Sequence, residues 1–238
     1  MIKLINAEDR HHSSAGWLNS HFLFSFADYY DPNNMHFGPL RVFNDDHVAA
    51  HSGFPQHPHS EMEIVTIVLS GEVTHEDSMG NNTTIKAGDV QRMTAGTGIT
   101  HSEKNNGDEE LHLLQLWFLP NKSNLSPSYE QKHIDFDDSK NELVPLVTGQ
   151  KVLEDVVYMN SNSTIYYANL KADKEIDFKT FEIRKTLIYV IEGEIFANGM
   201  QATKNDQLRI DQETAVLIRA AQDASFVLID VPAVEANY

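Results

Sequence analysis

Short hydrophobic runs, many of them rich in β-branched residues, alternate with polar turn residues along most of the chain. Residues Met62 to Leu69 form one such run, and a Ser-Gly turn separates it from the alternating segment Glu72 to His75. Residues Thr83 to Lys86 and Leu111 to Leu119 have the same character. Short strands with turn residues between them are typical of sandwiches and barrels. No window has a sustained helical period, so the pattern predicts an all-β protein.

An internal repeat indicates that this β structure is built twice. Residues 67–73 (IVLSGEV) resemble residues 189–195 (YVIEGEI), and residues 87–90 have a looser partner in residues 204–207. The polar, aperiodic segment 121–141 lies between the two copies and predicts a connection between lobes.

These boundaries predict two domains. We place an N-terminal domain over residues 1–132 and a C-terminal domain over residues 142–238.

Composition excludes several classes of protein. The 238 residues include 18 Lys and Arg against 35 Asp and Glu, for a net charge of −17, and such an acidic chain disfavours direct nucleic-acid binding. No apolar stretch approaches the ~18 residues of a transmembrane helix, and no secretory signal opens the sequence. The absence of cysteine excludes disulfides and thiolate metal sites. We expect a soluble, cytoplasmic protein that is a monomer or a weak dimer.

The histidines are the candidate functional residues. All 12 lie at or before His133, so the candidate site lies in the first half of the chain. His57 and His59 are two residues apart and share one face of an extended segment, as do His101 and Glu103. Imidazole and carboxylate donors without thiolate suit Fe(II), Mn(II), Cu(II) or Ni(II), whereas structural zinc more often recruits cysteine. We predict one divalent transition metal in the first half and none in the second. Iron(II) is favoured by availability and oxygen chemistry, with Mn, Cu, Ni or Zn as alternatives.

Several long runs of the first half resemble the pirin family. They are FSFADYYDP (24–32), FGPLRVFNDD (37–46), HPHSEMEIVTIVLSGEVTHEDSMGN (57–81) and QRMTAGTGITHSE (91–103). The resemblance implies a bicupin, that is, two jelly-roll β-barrels in tandem. It also implies a metal held in the N-terminal lobe by His57, His59, His101 and Glu103, and a C-terminal cupin-like lobe without a metal site.

The short bacterial pirins, which the chain resembles in length, include quercetin 2,3-dioxygenases. The resemblance therefore implies a metal-dependent dioxygenase that opens the central ring of a flavonol with O2 and releases carbon monoxide. Glu103 is then the general base. The alternative is a non-enzymatic metal- or redox-sensing pirin that binds a transcription-related protein partner.

Other residues near these motifs have more than one interpretation. Glu63 is the ordinary cupin ligand and competes with Glu103, or it orients a ligand imidazole from outside the coordination sphere. His75 either reaches the pocket or is hydrogen-bonded to the turn that follows it. Arg92 departs from the pirin pattern and is expected near the pocket mouth. The remaining histidines are expected to face solvent or an interface: His11, His12, His21, His36, His47, His51, His112 and His133.

Overall fold

The computed structural model describes residues 1–134, 136, 140–150, 153 and 155–233. Within these residues the structure consists of 22 strands and one short 3-10 helix, Ala7–Asp9. The strands form two compact units. One contains residues 11–134 and 157–161, and the other contains residues 1–10, the described residues between 136 and 156, and residues 162–233. None of the described residues forms a helix with the length and hydropathy to cross a bilayer.

Short turns join most of the strands. In chain order they are β1 Ile2–Ile5, β2 His11–Ser14, β3 Leu18–Phe22, β4 Leu40–Val48, β5 Ser52–His59, β6 Glu63–Ser70, β7 Glu72–Asp77, β8 Asn82–Lys86, β9 Asp89–Thr94, β10 Ile99–Asn105, β11 Leu111–Phe118, β12 Ser128–His133, β13 Val144–Thr148, β14 Val157–Tyr158, β15 Thr164–Leu170, β16 Glu175–Lys179, β17 Arg184–Glu192, β18 Glu194–Ala197, β19 Met200–Thr203, β20 Gln207–Asp211, β21 Ala215–Ala220 and β22 Ala224–Pro232.

The first unit is a jelly roll of two antiparallel sheets. Its larger sheet has the order β12-β9-β6-β11-β4-β3-β2, and its smaller sheet has the order β5-β10-β7-β8. Hydrophobic side chains of both sheets meet in one cluster, with Val73 and Ile85 from the smaller sheet and Val68, Leu111 and Leu113 from the larger one. This packing is why the central strands consist largely of hydrophobic residues.

The second unit repeats this architecture. Its larger sheet contains β1-β20-β17-β22-β15-β13 in that order, and its smaller sheet has the order β16-β21-β18-β19. Their inner faces enclose a hydrophobic core that includes Ile188, Ile195, Leu208, Ile218 and Phe226, all of them buried. The protein is therefore an all-β bicupin, as the sequence predicts.

The repeated sequence segments have the same backbone conformation. Gly71 and Gly193 both end a core strand at positive φ, +78° and +83°. A Cβ at either position would lie within 3 Å of a backbone carbonyl oxygen, 2.9 Å from Glu110 O and 2.2 Å from Asp223 O. The second pair of repeated segments, residues 87–90 and 204–207, also shares a contact. Asp89 accepts a hydrogen bond from the backbone N–H of Lys86, and Asp206 accepts one from that of Thr203.

The unit boundaries differ from the predicted domains in two places. Strand β1 pairs with β20, from Ile2↔Ile210 to Ile5↔Gln207, so residues 1–10 belong to the C-terminal unit and not to a domain over residues 1–132. The predicted connection over residues 121–141 contains β12, which pairs with β9 at the edge of the larger sheet. Polar edge strands lack the hydrophobic pattern by which buried strands are recognised.

Candidate metal centre

Three histidines meet where β5 pairs with β10. His57 lies directly opposite His101 in the antiparallel register, and His59 lies opposite Ile99. The ring centroids are 4.5 Å apart for His57 and His101, 4.9 Å for His59 and His101, and 4.7 Å for His57 and His59. One ligand nitrogen from each of the three rings lies within 4.8 Å of the others. The spacing in the sequence thus produces three convergent imidazoles on two paired strands.

A bulge between His101 and Glu103 shapes this part of the sheet. His101 lies opposite His57, and Glu103 lies opposite Phe54. Two residues of β5, Pro55 and Gln56, therefore correspond to the single residue of β10 between His101 and Glu103. Proline lacks a backbone N–H and is tolerated at such an irregular position. The carbonyl of Pro55 accepts a hydrogen bond from His57 Nδ1 at 2.8 Å. This contact places the hydrogen on Nδ1 and leaves the lone pair of Nε2 for a metal.

His101 is positioned by a chain of buried polar groups. Its Nδ1 lies 3.3 Å from His75 Nδ1, and His75 Nε2 lies 3.1 Å from Asp77 Oδ2. One proton arrangement satisfies both contacts: His101 Nδ1–H donates to His75, and His75 Nε2–H donates to Asp77. His101 Nε2 then carries a lone pair, and this buried atom has no hydrogen-bond partner among the described residues. A metal ion supplies the partner that this nitrogen lacks, so the donor set fits a metal.

Two of the three imidazoles, those of His59 and His101, are held in the neutral form that metal binding requires. Burial, followed by repulsion from His101 and His57, lowers the pKa of His59 to about 4. Burial, followed by repulsion from His57 and His75, lowers the pKa of His101 to about 3. Both rings are therefore uncharged at neutral pH, and neither needs to release a proton before it coordinates an ion.

Glu103 lies beside His101 and is anchored from the opposite sheet. Its side chain is 4% exposed, and its carboxylate accepts hydrogen bonds from Gln115 Nε2 at 3.0 Å and Thr66 Oγ1 at 3.4 Å. Ligand atoms of Glu103, His75 and His101 lie within 4.8 Å of one another. The carboxylate thus lies close to His101, and two side chains of the larger sheet fix its orientation.

The centre opens into a pocket with a polar end and apolar walls. The pocket has a volume of about 310 Å³, within the ~300–1,000 Å³ usual for small-molecule sites. It is lined by Phe26, Asn44, Asp46, Phe54, Pro55, His57, His59, Ile64, His101, Glu103, Gln115 and Trp117. Trp117 packs edge-on against both Phe26 and His59, at centroid distances of 5.3 and 4.7 Å. The arrangement suits a flat, apolar ligand with polar groups at one end.

Two comparisons with known sequences bear on this site. The family model described as Pirin matches residues 6–118, and the one described as Quercetinase C-terminal cupin domain matches residues 146–231. A protein named quercetin 2,3-dioxygenase from Escherichia coli K12 is 41% identical over 235 residues, which cover 98% of this chain and 100% of that protein. The chain belongs to the pirin family. A pirin-like protein from Caulobacter vibrioides is 39% identical, over 90% of this pirin and 93% of the relative.

Solved structures agree with this assignment. The crystal structure of YhhW from Escherichia coli superposes on this pirin with a TM-score of 0.94 at 39% identity, and each chain is covered completely. A second structure, of bacterial pirin YhhW in complex with nickel(II), has a TM-score of 0.93 at 39% identity and covers 98% of this chain and 100% of that one. Together with the histidine cluster, the nickel complex indicates a metal site in this pirin.

Glu63, the alternative ligand in the sequence, points to a different set of partners. Its buried carboxylate accepts hydrogen bonds from Thr94 Oγ1 at 3.1 Å and from the backbone N–H of Asn160 at 2.9 Å. Among the described residues, the hydrogen-bond donors to this carboxylate are Thr94 and Asn160 and not a ligand imidazole. Through these hydrogen bonds Glu63 connects β6 to β9 and to Asn160, which is a structural role.

The structure also decides between the interpretations of two other residues. His75 is hydrogen-bonded to Asp77, whose carboxylate caps the following turn, and it also contacts His101. Arg92 does not line the pocket: it donates to Tyr158 O, Ser128 Oγ and Glu130 Oε2. The expectation that Arg92 lies near the pocket mouth is wrong, because β9 turns this side chain toward β12.

Sequence reasoning missed the polar end of the pocket. Asn44, Asp46 and Gln115 belong to the larger sheet, more than 10 residues away from every metal-ligand candidate. The signal that could have found them is the polar run Asn44-Asp45-Asp46-His47, which interrupts the hydrophobic residues Val42, Phe43 and Val48 of one strand. Buried polar residues in a central strand are unusual and commonly line a site.

Asp46 gives this pocket a pH dependence. Burial, together with repulsion from Asp45 and Glu103, raises the pKa of Asp46 from 3.8 to about 7, while a hydrogen bond from Ser20 opposes the rise. The native state therefore binds a proton that the unfolded chain releases near pH 4. This contribution to stability is complete below pH 4 and is lost as pH rises through 7.

We expect Asp46→Asn to remove this pH dependence. In metal-free protein the variant gains stability relative to the wild type between pH 4.5 and pH 8, by up to about 4 kcal/mol for three pKa units. Urea unfolding of both proteins at the two pH values measures the difference, and the exposed Asp28→Asn is the control. An equal difference at both pH values contradicts the assignment.

Gly53 lets β5 approach β10 at the metal centre. A Cβ at this position would lie 2.3 Å from Glu103 O and 2.6 Å from Lys104 Cα, and the residue has a φ of +155°. We expect Gly53→Ala to displace the backbone of Glu103, weaken metal binding and destabilise the protein by roughly 2–4 kcal/mol. Unfolding and metal titration measure the two effects.

Gly80→Ala is the control for Gly53→Ala. Its φ is +93°, but a Cβ there meets nothing within 4 Å. The Gly80→Ala variant therefore has the backbone strain of an alanine at positive φ but no steric clash of its Cβ. We expect its metal affinity to equal that of the wild type. If Gly53→Ala also binds metal normally, the close approach is not what places Glu103.

Proposed function

We propose that this pirin is a metal-dependent dioxygenase that opens the central ring of flavonols such as quercetin, consuming O2 and releasing carbon monoxide. The observation that carries the proposal is the cluster of His57, His59 and His101 at the polar end of an aromatic-walled pocket, with Glu103 beside His101. The name quercetin 2,3-dioxygenase given to the Escherichia coli relative supports it. The metal ligands we propose are these four residues.

A bound divalent metal would supply Lewis-acid stabilisation of the deprotonated 3-hydroxyl oxygen of the flavonol. Glu103 would accept the proton of that hydroxyl, because its carboxylate lies next to His101 and is already oriented by Gln115 and Thr66. Phe26 and Trp117 would contact the aromatic rings of the substrate and exclude water. Deprotonation makes the flavonol electron-rich enough to react with O2.

Two further atoms of the pocket residues support a polyhydroxylated ligand. Asn44 Oδ1 and Trp117 Nε1 are buried and have no hydrogen-bond partner among the described residues. Such groups are costly to leave unsatisfied. A substrate with both hydroxyl and carbonyl groups offers a donor to the first and an acceptor to the second.

We propose iron(II) as the native metal, with Mn, Cu, Ni and Zn as alternatives. Three imidazoles and one carboxylate bind each of these ions, and intrinsic affinity rises toward Cu(II), so the metal found in purified protein depends on the supply. Iron is the choice that best suits oxygen chemistry. Reconstitution of metal-free protein with each ion in turn tests the assignment.

The test combines metal content and turnover in one sample. Protein reconstituted with iron(II) under nitrogen is mixed with quercetin and O2, and quercetin absorbance, oxygen uptake and carbon monoxide are recorded together. We expect the three signals to change in equal molar amounts. Full metal occupancy in the pocket without oxygen uptake on any flavonol, for every ion, would overturn the proposal and favour a non-enzymatic metal sensor that binds a protein partner.

A further inference from the structure

Strand β4 has polar side chains on both of its faces. Asn44 and Asp46 line the pocket, so Asp45 and His47 point to the opposite face of the sheet. On the neighbouring strand β11, His112 lies directly opposite His47. The two imidazole rings stack with centroids 4.0 Å apart and an interplanar angle of 15°. His47 and His112, which the sequence predicts to face solvent or an interface, are partly exposed and also contact each other.

The donor atoms of these three side chains converge. One ligand atom from each of Asp45, His47 and His112 lies within 4.8 Å of the others. His112 Nε2 is 2.6 Å from Asp45 Oδ1, and His47 Nε2 is 4.0 Å from the same oxygen. Donors bound to a common ion at ~2.0–2.2 Å are separated by roughly 3–4 Å. Small side-chain rotations therefore suffice to place all three around one ion.

Glu110 determines which nitrogen of His47 is free to bind. Its Oε1 accepts a hydrogen bond from His47 Nδ1 at 2.9 Å, so in the neutral ring the lone pair is on Nε2. That lone pair and the Asp45 carboxylate are both acceptors and cannot bond to each other. Asp45 Oδ1 also accepts a hydrogen bond from His112 Nε2 at 2.6 Å, and a cation bound between the three side chains would displace that proton. A carboxylate behind the second nitrogen is also the usual support of a metal-bound histidine.

Burial and charge favour a cation at this position. The Asp45 side chain is 4% exposed, whereas His112 and His47 are 23% and 34% exposed. A buried anion therefore lies below two imidazoles that solvent can reach. On β3, His21 is opposite Asp45 in the register, so another imidazole occupies the same face. The net charge of −17 adds a general attraction for cations.

We propose that Asp45, His47 and His112 form a second metal site, which binds a divalent first-row ion of the Zn²⁺ and Cu²⁺ type. Two imidazoles and one carboxylate suit these ions, whereas Ca²⁺ and Mg²⁺ prefer oxygen ligands alone. The site lies on the face of β4 that is opposite to the pocket, and it does not depend on the proposed dioxygenase activity.

Zinc stoichiometry tests the second site. Metal-free wild-type protein and the double variant His47→Gln/His112→Gln are dialysed against buffered Zn²⁺ and measured by elemental analysis. We expect two zinc ions per chain in the wild type and one in the double variant. The control is His51→Gln, since His51 pairs with Asp108 at 3.1 Å without a third donor and its loss leaves two ions bound. Equal zinc content in the wild type and the double variant would overturn the proposal.

Glu110→Gln tests the same site without removing a ligand. Glu110 is 59% exposed, so this variant is expected to fold normally. We expect zinc affinity at the second site to fall about 10- to 100-fold while the pocket site is unchanged. With Cu²⁺ in place of zinc, electron paramagnetic resonance of the second site reports two nitrogen donors. A spectrum without nitrogen coupling there, or an unchanged affinity in Glu110→Gln, contradicts the ligand set.

Discussion

Replacing Glu103 with glutamine is expected to lower flavonol turnover by about 100- to 10,000-fold, the range for loss of a general base. The pocket is expected to keep its metal, because three imidazoles remain and glutamine retains the length of the side chain. Gln115 and Thr66 contact the carboxylate from the opposite sheet, so the variant also keeps one oxygen acceptor in place. Steady-state turnover of quercetin, normalised to measured metal content, gives the effect.

Glu63→Gln is the matched control for this prediction. Both carboxylates are buried, but that of Glu63 is occupied by Thr94 and the backbone of Asn160. Burial raises the pKa of Glu63, so a neutral amide is a modest change there. We expect turnover within about tenfold of the wild type, below the loss for an essential base. A larger loss of turnover in Glu63→Gln than in Glu103→Gln would show that this pirin uses the ordinary cupin glutamate.

His101→Ala is expected to abolish metal binding in the pocket and, with it, turnover. His101 is 1% exposed and lies on β10, directly opposite His57 of β5. The variant also loses the stabilisation that metal binding gives to the folded state. At a free metal concentration 1,000 times Kd, binding raises the free energy of unfolding of the wild type by about 4 kcal/mol, and that of the variant does not rise through this site. Chemical unfolding with and without metal measures this term independently of the assay.

His133→Gln controls for the removal of a histidine that is not a ligand. Its ring is 68% exposed and is hydrogen-bonded to Asp89 at the edge of the larger sheet. We expect wild-type turnover and metal-dependent stabilisation in this variant. If His101→Ala retained the pocket metal and its activity, the cluster of His57, His59 and His101 would not be the metal centre.

The candidate ligands could be predicted because their arrangement is local. His57 and His59 share one face of a strand through their spacing alone, and the same holds for His101 and Glu103. The strand pattern likewise predicts most of β6, β7 and β11, whose buried residues are hydrophobic. Where one short segment contains the whole signal, the sequence is sufficient.

Features that depend on pairing between distant strands could not be predicted. Strand β1 belongs to the C-terminal unit because it pairs with β20, some 200 residues later. Gln115 reaches Glu103 from the opposite sheet, and His112 meets Asp45 through the register of β4 and β11. Glu63 and Glu103 both follow a candidate ligand histidine, and the hydrogen bonds around each carboxylate distinguish them.

The pairing of β5 with β10 also constrains the order of events during folding. His59 and His101 are 42 residues apart, and nothing but this pairing brings them together. Closing a loop of that length costs conformational entropy before any contact offsets it, and β proteins dominated by such contacts fold slowly. The candidate ligand cluster is therefore absent from the unfolded chain, and an ion held by all three histidines can bind only after β5 and β10 have paired. The choice of ion would then depend on the metals present once this pairing has formed.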